Sequence, residues 1–355
     1  MSEISLDIDK LEALSGKVVT DITGAIGVLL SYIGDQSGVY RALEAHGPCT
    51  TSQLAIATGL NERYLQEFLS SNAGSGYVTY DGQANEFSIT PEQAAVLVHE
   101  GEPTCVQGFI QAVVSQYATH GTALDVFKTG RGRPWSEHHI CCFCGTDRVF
   151  GPQYEANLID SWIPSLDGIQ AKLESGSKVA DVACGHGSST ILMAEKFPNS
   201  TIHGFDSHEP SIEVARGKAK EAELSNVEFF VSTAKEIPNN GYNFACIFDA
   251  LHDMGDPVGA AKHINDVLVE DGTFMLVEPL AGDTLEENLD NPLSALFYGF
   301  STLVCVPCSK AQEVGLGLGA QAGQARLTKV LNEAGFTQVR RAAETHTNMI
   351  LEVSA

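Results

Sequence analysis

The most constraining feature of this chain is a regular alternation that begins at Lys178. From there to the C-terminus, short apolar segments of strand length alternate with helical or loop segments, which is typical of parallel strands joined by crossover helices. The last two segments are separated by only a short turn, as in an antiparallel hairpin. We therefore predict an α/β fold with a doubly wound sheet closed by an antiparallel terminal strand. The segments are VADVA, TIHGF, VEFFV, NFACIF, TFMLVE, TQVRRAAE and TNMILEV.

A different pattern near the N-terminus predicts a helix with one apolar face. Its apolar residues recur at spacings of four, four, three and four, which places them on the same side of a helix. A helix that precedes a separate folded core has little of its own domain to cover such a face, so we expect it to form a homodimer interface. These residues are Val18, Ile22, Ile26, Leu29 and Ile33.

The segment that follows this helix has the outline of a winged helix. Thr51 and Asn61 are predicted to cap two helices that a turn at Gly59 joins, which is a helix-turn-helix pattern. Strand-like segments at residues 77–80 and 86–89 flank an Asp-Gly turn and predict the hairpin of the wing. We expect this domain to be mainly helical.

The charge of the chain argues against nucleic acid as a partner. Residues 51–100 contain one basic residue, Arg63, against six acidic residues. The whole chain has 21 Lys and Arg residues against 45 Asp and Glu residues, a formal charge of -24. Binding to phosphates or to an anionic membrane surface needs the opposite sign. We therefore expect small-molecule partners, with a cofactor-sensing winged-helix regulator as the alternative from another class.

The sequence also predicts the compartment. The N-terminal segment MSEISLDIDK is acidic where a signal peptide is positively charged. The apolar stretch at residues 18–33 is shorter than the roughly 20 apolar residues of a membrane span. We predict a cytoplasmic protein without a membrane segment. Nine cysteines in such a chain favour reduced thiols over a disulfide framework.

Two glycines stand where the first strand of the predicted sheet meets a helix, in DVACGHG. Gly185 and Gly187 let a ligand approach backbone N–H groups at the helix N-terminus. Asp206 ends the second strand, 19 residues after Gly187, where a carboxylate accepts both hydroxyls of an adenosine ribose. A nicotinamide or flavin cofactor is disfavoured, because Ala183 replaces the first glycine of its fingerprint and the third is missing.

Five motifs in this order resemble the class I S-adenosylmethionine-dependent methyltransferases: DVACGHG, GFD, TAK, FDALHD and VEP. The resemblance covers about half of the chain, from residue 171 to the end. It implies a Rossmann-like fold that binds S-adenosyl-L-methionine through the glycine loop and the ribose-binding Asp206. It also places Asp181 near the amino-acid end of the cofactor, Asp249 under the methionine moiety, and Thr233 and Ala234 beside the adenine.

Within that class, the chain is similar to small-molecule O-methyltransferases. These enzymes have a winged-helix-like domain ahead of the fold and a His-Asp pair after the fourth strand, which is LHDMGDP here. The resemblance implies that His252 is the catalytic base and that Glu278 orients its ring. A second orienting acid of that family falls on Gln321, and residues that close over the cofactor fall on Phe150 and Tyr154.

The implied reaction explains these residue types. A hydroxyl acceptor must lose its proton as it attacks a sulfonium methyl group, and an imidazole with an ordinary pKa near ~6.5 suits that transfer at neutral pH. Two other interpretations stay open. One is methyl transfer to a thiol or metalloid that needs no base, and the other is a His252 that only lines the pocket.

Two cysteine clusters lack the spacing of a standard metal site. Cys141, Cys142 and Cys144 follow two histidines, and Cys305 and Cys308 have no second spaced pair beside them. We expect ordinary thiols and no tightly bound metal. The alternative is a set of thiols that meet above the cofactor and bind a soft substrate such as a metalloid.

These interpretations divide the chain into three parts. Residues 1–100 form the predicted winged-helix-like dimerisation domain, and residues 101–170 form a helical bridge that caps cofactor and substrate. Residues 171–355 form the predicted methyltransferase domain, with a lid insertion near residues 284–325.

Overall fold

The computed structural model describes residues 6–355, which fall into two compact units. The first unit comprises residues 6–117 together with Cys144–Val149. The second unit comprises Ala118–Phe143 and Phe150–Ala355. Each unit has its own buried apolar core.

The first unit contains the predicted helix-turn-helix and hairpin. Its elements are α1 (Ile8–Ser37), α2 (Val39–His46), α3 (Thr51–Thr58), α4 (Glu62–Gly74), β1 (Thr79–Asp81), β2 (Glu86–Ser88), α5 (Pro91–Leu97) and α6 (Gln107–Ala118). Asn61 caps α4 as predicted. The prediction for α3 is wrong by one residue, because Thr50 and Gln53 form a reciprocal capping box that leaves Thr51 inside the helix. Strands β1 and β2 pair antiparallel.

Helix α1 is longer than the predicted apolar stretch, and its apolar face is uncovered within the described residues. Ile22 is 59% exposed and Ile26 is 55% exposed. The helix ends at Gly38, whose φ of 76° suits a residue without a Cβ. Helix α1 is also long and apolar enough to cross a membrane. Length and composition are weak evidence for a membrane span, because core helices of soluble proteins and signal sequences meet the same criterion.

The second unit begins with three helices and continues into the sheet. The helices are α7 (His120–Thr129), α8 (Ile140–Asn157) and α9 (Ile169–Ser175). The sheet region contains β3 (Lys178–Val182), α10 (Ser188–Lys196), β4 (Thr201–Asp206), α11 (Glu209–Glu221), β5 (Val227–Val231), β6 (Tyr242–Phe248), α12 (Pro257–Val267), β7 (Leu268–Pro279), α13 (Leu285–Leu289), α14 (Ser294–Phe300), α15 (Val306–Lys310), α16 (Gln324–Glu333), β8 (Gln338–Glu344) and β9 (Asn348–Ser354).

The sheet confirms the predicted fold class. Its strand order is β5-β4-β3-β6-β7-β9-β8. Strands β3 to β7 pair in parallel, β9 runs antiparallel to β7, and β8 pairs with β9 as the predicted hairpin. The direction of the strand order reverses at β3, and open α/β sheets bind ligands outside the carboxyl ends of the strands at such a switch point.

Two large clusters of buried apolar residues pack helices against the sheet. One cluster includes Ile264 of α12 and Leu327 of α16. The other includes Leu173 of α9 and Met193 of α10. This arrangement of helices in two layers is that of a doubly wound sheet and leaves the strand ends free for a site.

The chain between β7 and α16, where we predict a lid insertion, forms the short helices α13, α14 and α15. Its helices α14 and α15 are joined by a π-helical turn at Ser301–Cys305. The following loop is tied to the segment after β6, because Leu316 N donates to Gly255 O at 2.9 Å and Gly319 N donates to His252 O at 3.3 Å. Both segments therefore border the same strand end.

Candidate active site

The loop after β3 turns sharply within five residues. Ala183, Gly185 and Gly187 have φ values of 60°, 54° and 78°. A Cβ on Gly187 would lie 2.8 Å from Ala215 and from the ring of Phe229, so only glycine fits there. Ala183 holds a left-handed conformation that costs an L-residue about 1 kcal/mol, which accounts for the glycine usual at that position in dinucleotide-binding loops.

Asp181 anchors this loop to the first turn of α10. It is fully buried on β3, and its Oδ2 accepts hydrogen bonds from Ser189 Oγ at 2.7 Å and from Thr190 Oγ1 at 2.6 Å. Burial raises the pKa of Asp181 to about 6 despite these two donors. Asp181 therefore holds the loop and the helix start in place.

Asp206 ends β4 and is fixed by two backbone donors. Gly185 N donates to its Oδ2 at 2.9 Å, and His208 N donates to its Oδ1 at 2.8 Å. Burial raises the pKa of Asp206, and the two N–H groups partly offset that effect. Each oxygen keeps a further lone pair for a ligand hydroxyl.

Thr233 and Ala234 follow β5 at the same edge of the sheet. The backbone bond from Ser232 N to Asp206 O, 2.9 Å long, joins this segment to the end of β4. The Thr233 hydroxyl donates to Glu236 Oε2 at 2.8 Å, so it is already used within the loop. Ala234 packs against the core and is partly buried, so it presents a small apolar surface at this edge of the sheet.

Asp249 follows β6 in a left-handed conformation with φ of 48°. Asn348 Nδ2 donates to its Oδ1 at 2.6 Å, whereas its buried Oδ2 accepts no hydrogen bond from the described residues. Burial and the neighbouring Glu278 carboxylate raise the pKa of Asp249 well above its ordinary value. Oδ2 is therefore an acceptor without a donor, which suits an ammonium group of a ligand.

His252 and Glu278 are brought into contact by the pairing of β6 with β7. His252 lies in the short helical turn Leu251–Asp253, and Glu278 lies near the end of β7. Both are buried, and the Glu278 carboxylate hydrogen-bonds His252 Nδ1 and also accepts the His252 backbone N–H at 3.3 Å. Glu278 therefore sets both the orientation and the tautomer of the ring.

The other ring nitrogen faces a second carboxylate. His252 Nε2 lies 3.3 Å from Asp253 Oδ1. Burial opposes a charge on His252, but the Glu278 and Asp253 carboxylates outweigh it and raise the pKa of His252 well above the ordinary value. Burial also raises the pKa of Asp253, although His252 partly offsets this effect.

The structure gives a place to one of the cysteines that the sequence singled out and adds a residue, Asn348, that sequence reasoning missed. Cys305 lies beside the His-Asp pair, with its Sγ, a ring nitrogen of His252 and an Asp253 carboxylate oxygen all within 4.8 Å of one another. Asn348 holds Asp249 from the antiparallel strand β9. Neither contact could be predicted from a local sequence pattern, because each joins segments that are distant in the chain.

Three residues implied by the family resemblance have other contacts here. Gln321 is buried, but its Oε1 accepts a hydrogen bond from Ser294 at 3.4 Å and its Nε2 donates to Ala320 O at 3.2 Å. Tyr154 packs in the core against Phe248, with ring centroids 5.0 Å apart, and Phe150 stacks on Tyr154. None of the nine cysteines, which all lie within residues 6–355, forms a disulfide.

The strand-end residues fit an adenosyl cofactor with an amino-acid tail. A Cβ on Gly185 would meet no atom within 4 Å, so open space lies beside the loop. Asp206 retains lone pairs for two ribose hydroxyls, and the buried Asp249 Oδ2 lacks a donor. The residues present therefore match S-adenosylmethionine.

Comparisons with known proteins agree with this fit. A family model described as a methyltransferase domain matches residues 173–335, and a model of the Rv2258c-like winged helix-turn-helix domain matches residues 24–99. A curated relative is the demethylmenaquinone methyltransferase of Listeria monocytogenes serotype 4b (strain CLIP80459). It is 28% identical over 179 residues, which cover 48% of this chain and 73% of the relative.

Two solved structures share the fold over nearly the whole chain. The mitomycin 7-O-methyltransferase MmcR has a TM-score of 0.72 at 19% identity, covering 98% of this chain and 100% of its own. Human N-acetylserotonin methyltransferase, in complex with S-adenosylmethionine, has a TM-score of 0.71 at 15% identity, covering 100% of both chains. The chain therefore carries a methyltransferase domain behind a winged helix-turn-helix domain and is an S-adenosylmethionine-dependent methyltransferase.

Proposed function

We propose that this enzyme methylates a hydroxyl oxygen of a small molecule and that His252 accepts the hydroxyl proton. The observation that supports this proposal is the hydrogen bond between His252 Nδ1 and the Glu278 carboxylate. It favours the tautomer in which Nδ1 carries the proton, so that Nε2 of the neutral ring holds the lone pair that a general base needs.

The remaining residues bind and position the reactants. S-Adenosylmethionine supplies a methyl group on a positively charged sulfur. Asp206 would accept hydrogen bonds from the ribose hydroxyls, and Asp249 Oδ2 would accept one from the amino group. The fixed loop at Gly185 and Gly187 presents backbone N–H groups at the start of α10. Holding both reactants in line lowers the barrier, because methyl transfer depends mainly on positioning and on the exclusion of water.

The proton has a defined destination in this scheme. The acceptor oxygen would exchange its proton for the methyl group: the new O–C bond replaces the sulfur–methyl bond, S-adenosylhomocysteine is the leaving group, and the O–H proton moves to His252 Nε2. Asp253 Oδ1 lies 3.3 Å from Nε2, so the acceptor hydroxyl has to take its place. The imidazolium that forms is stabilised by Glu278, since an opposite charge at hydrogen-bond distance favours the charged ring.

The experiment that tests this proposal is an acceptor screen. Phenols, aliphatic alcohols, carboxylates, amines and thiols are incubated with the enzyme and the cofactor, and formation of S-adenosylhomocysteine is measured. We expect turnover with hydroxyl compounds and its loss in His252→Ala. Turnover restricted to thiols or metalloid oxyanions, and equal in His252→Ala, would favour transfer to a pre-ionised nucleophile instead.

A second proposal concerns the first unit, whose α1 we infer to pair with α1 of a second copy. The supporting observation is the exposed apolar face that includes Ile22 and Ile26. Ile26→Glu should lower the molar mass measured by light scattering from that of a dimer to that of a monomer. Thr20→Glu, on the opposite side of the same helix, is the control. An unchanged mass for a folded Ile26→Glu would contradict the interface.

We further propose that the helix-turn-helix does not bind nucleic acid. Its only basic residue between positions 51 and 100, Arg63, already pairs with Glu67 at 2.5 Å. A mobility assay at low salt should show no complex with duplex DNA, because low salt exaggerates any phosphate attraction. A saturable complex there would support the regulator alternative.

A further inference from the structure

A cluster of three different ligand types lies beside the proposed base. His252 and Asp253 belong to the turn after β6, and Cys305 belongs to the π-helical turn between α14 and α15. One nitrogen, one oxygen and one sulfur atom from these residues lie within 4.8 Å of one another. Imidazole, carboxylate and thiolate are together the ligand set of zinc sites in proteins.

The spacing of two of these atoms matches a tetrahedral ion. Ligand atoms at about 2.0–2.1 Å from Zn²⁺ and at a tetrahedral angle are about 3.3–3.4 Å apart. His252 Nε2 and Asp253 Oδ1 are 3.3 Å apart. The Cys305 sulfur can complete a set of three protein ligands, and the fourth position would stay open.

The hydrogen bonds around the cluster also favour a cation. Nδ1 of His252 is bonded to Glu278, so Nε2 is the ring nitrogen that faces Asp253, and it offers a lone pair when the ring loses its proton. Asp253 Oδ1 is buried and accepts no hydrogen bond from the described residues. Two acceptors that face each other need either a proton or a metal ion between them. A carboxylate on the far ring nitrogen is the usual partner of a metal-binding histidine, and Glu278 occupies that position.

Further soft donors surround this cluster. Cys305, Cys308 and Cys142 lie in one buried group, and Cys308 Sγ is 3.5 Å from His138 Nε2. Sulfur and imidazole ligands select zinc-like ions over Mg²⁺ and Ca²⁺, which prefer oxygen. The donor set is therefore one for a thiophilic ion.

We propose that a thiophilic divalent cation of the Zn²⁺ class binds reversibly between His252, Asp253 and Cys305 and that bound cation stops hydroxyl methylation. The Cys305 thiol releases its proton on binding, so affinity is modest and increases with pH. This agrees with the expectation that the protein holds no tightly bound metal. The inhibition rests on the proposed base, since the ion takes the Nε2 lone pair, but the binding does not depend on it.

The test is a Co²⁺ titration of the full chain after chelation, followed by absorption spectroscopy. We expect one Co²⁺ per chain, with the sulfur-to-cobalt charge-transfer band and the visible bands of four-coordinate cobalt. The charge-transfer band and the visible bands should disappear in Cys305→Ser and Cys305→Ala and should become weaker in Asp253→Asn. Cys246→Ser, which changes another buried thiol of the same unit, should retain them. Added Zn²⁺ should displace the cobalt.

The activity arm measures inhibition by Zn²⁺ of each variant relative to its own chelated rate. We expect Zn²⁺ to inhibit the wild type at the concentrations that displace cobalt. Equal inhibition of Cys305→Ser should need a Zn²⁺ concentration at least about tenfold higher, a factor equivalent to about 1.4 kcal/mol. Absence of cobalt bands from the folded enzyme, or bands retained in Cys305→Ser and Cys305→Ala, would overturn the site. Bands without inhibition would overturn its effect on methyl transfer. Circular dichroism checks the fold of every variant.

Discussion

The two halves of the strand-end site differ in how their carboxylates are satisfied. At β3 and β4, Asp181 Oδ2 accepts hydrogen bonds from two side-chain hydroxyls and Asp206 accepts them from two backbone N–H groups, although the buried Asp181 Oδ1 accepts none from the described residues. At β6 and β7, three carboxylates surround one imidazole, and buried oxygens of Asp249 and Asp253 accept no hydrogen bond from the described residues. Each carboxylate of the first half is therefore held by two hydrogen-bond donors, whereas the second half concentrates negative charge around His252, which a cation or a proton balances.

This difference agrees with the roles that we propose for the two halves. Fixed acceptors at β3 and β4 suit a neutral ribose, because binding then needs little reorganisation. Excess negative charge at β6 and β7 suits a cationic reactant and a proton in transit, because the charge becomes balanced only during the reaction cycle. Substitutions in the first half should therefore change affinity, and substitutions in the second half should change rate or its pH dependence.

The largest expected effect is on rate, from His252→Ala. Loss of the base should lower turnover on a hydroxyl acceptor by roughly 10²–10⁴-fold and leave affinity for S-adenosylhomocysteine nearly unchanged. Initial rates and calorimetric titration measure the two quantities. His263→Ala removes a histidine of α12 whose Nε2 contacts Ile237 O, and serves as the control.

High pH should partly rescue His252→Ala for an acidic phenol, whose anion needs no base. An unchanged turnover number for His252→Ala on the true acceptor would remove the catalytic distinction between the two halves. Transfer to a nucleophile that is already ionised would then be the better description.

The next effect is on affinity, from Asp206→Ala. Hydrogen bonds to a charged group contribute about 1.5–3 kcal/mol, so the variant should bind S-adenosylhomocysteine at least about tenfold more weakly. Asp266→Ala, which removes an exposed carboxylate paired with Lys262, is the control. Calorimetric titration with unchanged affinity in Asp206→Ala would show that β4 does not hold the ribose.

A third comparison lies within the glycine loop. Gly185→Ala and Gly187→Ala both place an alanine at positive φ, which costs roughly 1–2 kcal/mol. Only the second adds a clash, because its Cβ would lie 2.8 Å from Ala215 and Phe229, while the first enters open space. Gly187→Ala should therefore lower the melting temperature more, and Gly185→Ala should weaken cofactor binding with less loss of stability.

Thermal unfolding followed by circular dichroism and calorimetric titration separate these effects. If the two variants melted at the same temperature, the clash at Gly187 would be relieved by a shift of the loop. If Gly185→Ala bound the cofactor normally, the open space beside Gly185 would not be the cofactor site.

Much of this geometry could be predicted from sequence because it depends on local pattern. Strand ends are recognisable from short apolar segments, and parallel pairing of neighbouring strands places His252 near Glu278 without further information. Local capping was predicted correctly at Asn61 and missed by one residue at Thr50, where two adjacent threonines compete for the same role.

The charge balance of the second half could not be predicted in the same way. Cys305 reaches His252 through the fold of the insertion between β7 and α16, and Asn348 reaches Asp249 through the pairing of β9 with β7. Such contacts depend on packing between segments far apart in sequence. Burial lowers the pKa of His252, but the Glu278 and Asp253 carboxylates, together with Cys305, outweigh it and raise the pKa. Composition and spacing alone pointed to an imidazole with an ordinary pKa.

The smallest effect is a shift in pH dependence, from Asp253→Asn. A base works only when unprotonated, so activity on a hydroxyl acceptor should be lost as the pH falls through the raised pKa of His252. Removing the Asp253 charge removes one of the two carboxylates that raise this pKa. The acid limb of the rate profile should therefore move to lower pH. The shift is modest because Glu278, which is 1% exposed and bonded to Nδ1, keeps its effect.

The measurement is kcat/KM against pH for the wild type, Asp253→Asn and Glu195→Gln, with the last removing an exposed charge from α10 as the control. Because kcat/KM reports the free enzyme, its acid limb tracks the ring before the acceptor displaces Asp253. A limb that moves in Asp253→Asn and stays fixed in Glu195→Gln would show that the charge beside Nε2 tunes the base. A limb unmoved in both would place the titration on another group and leave Asp253 a role in shaping the pocket alone.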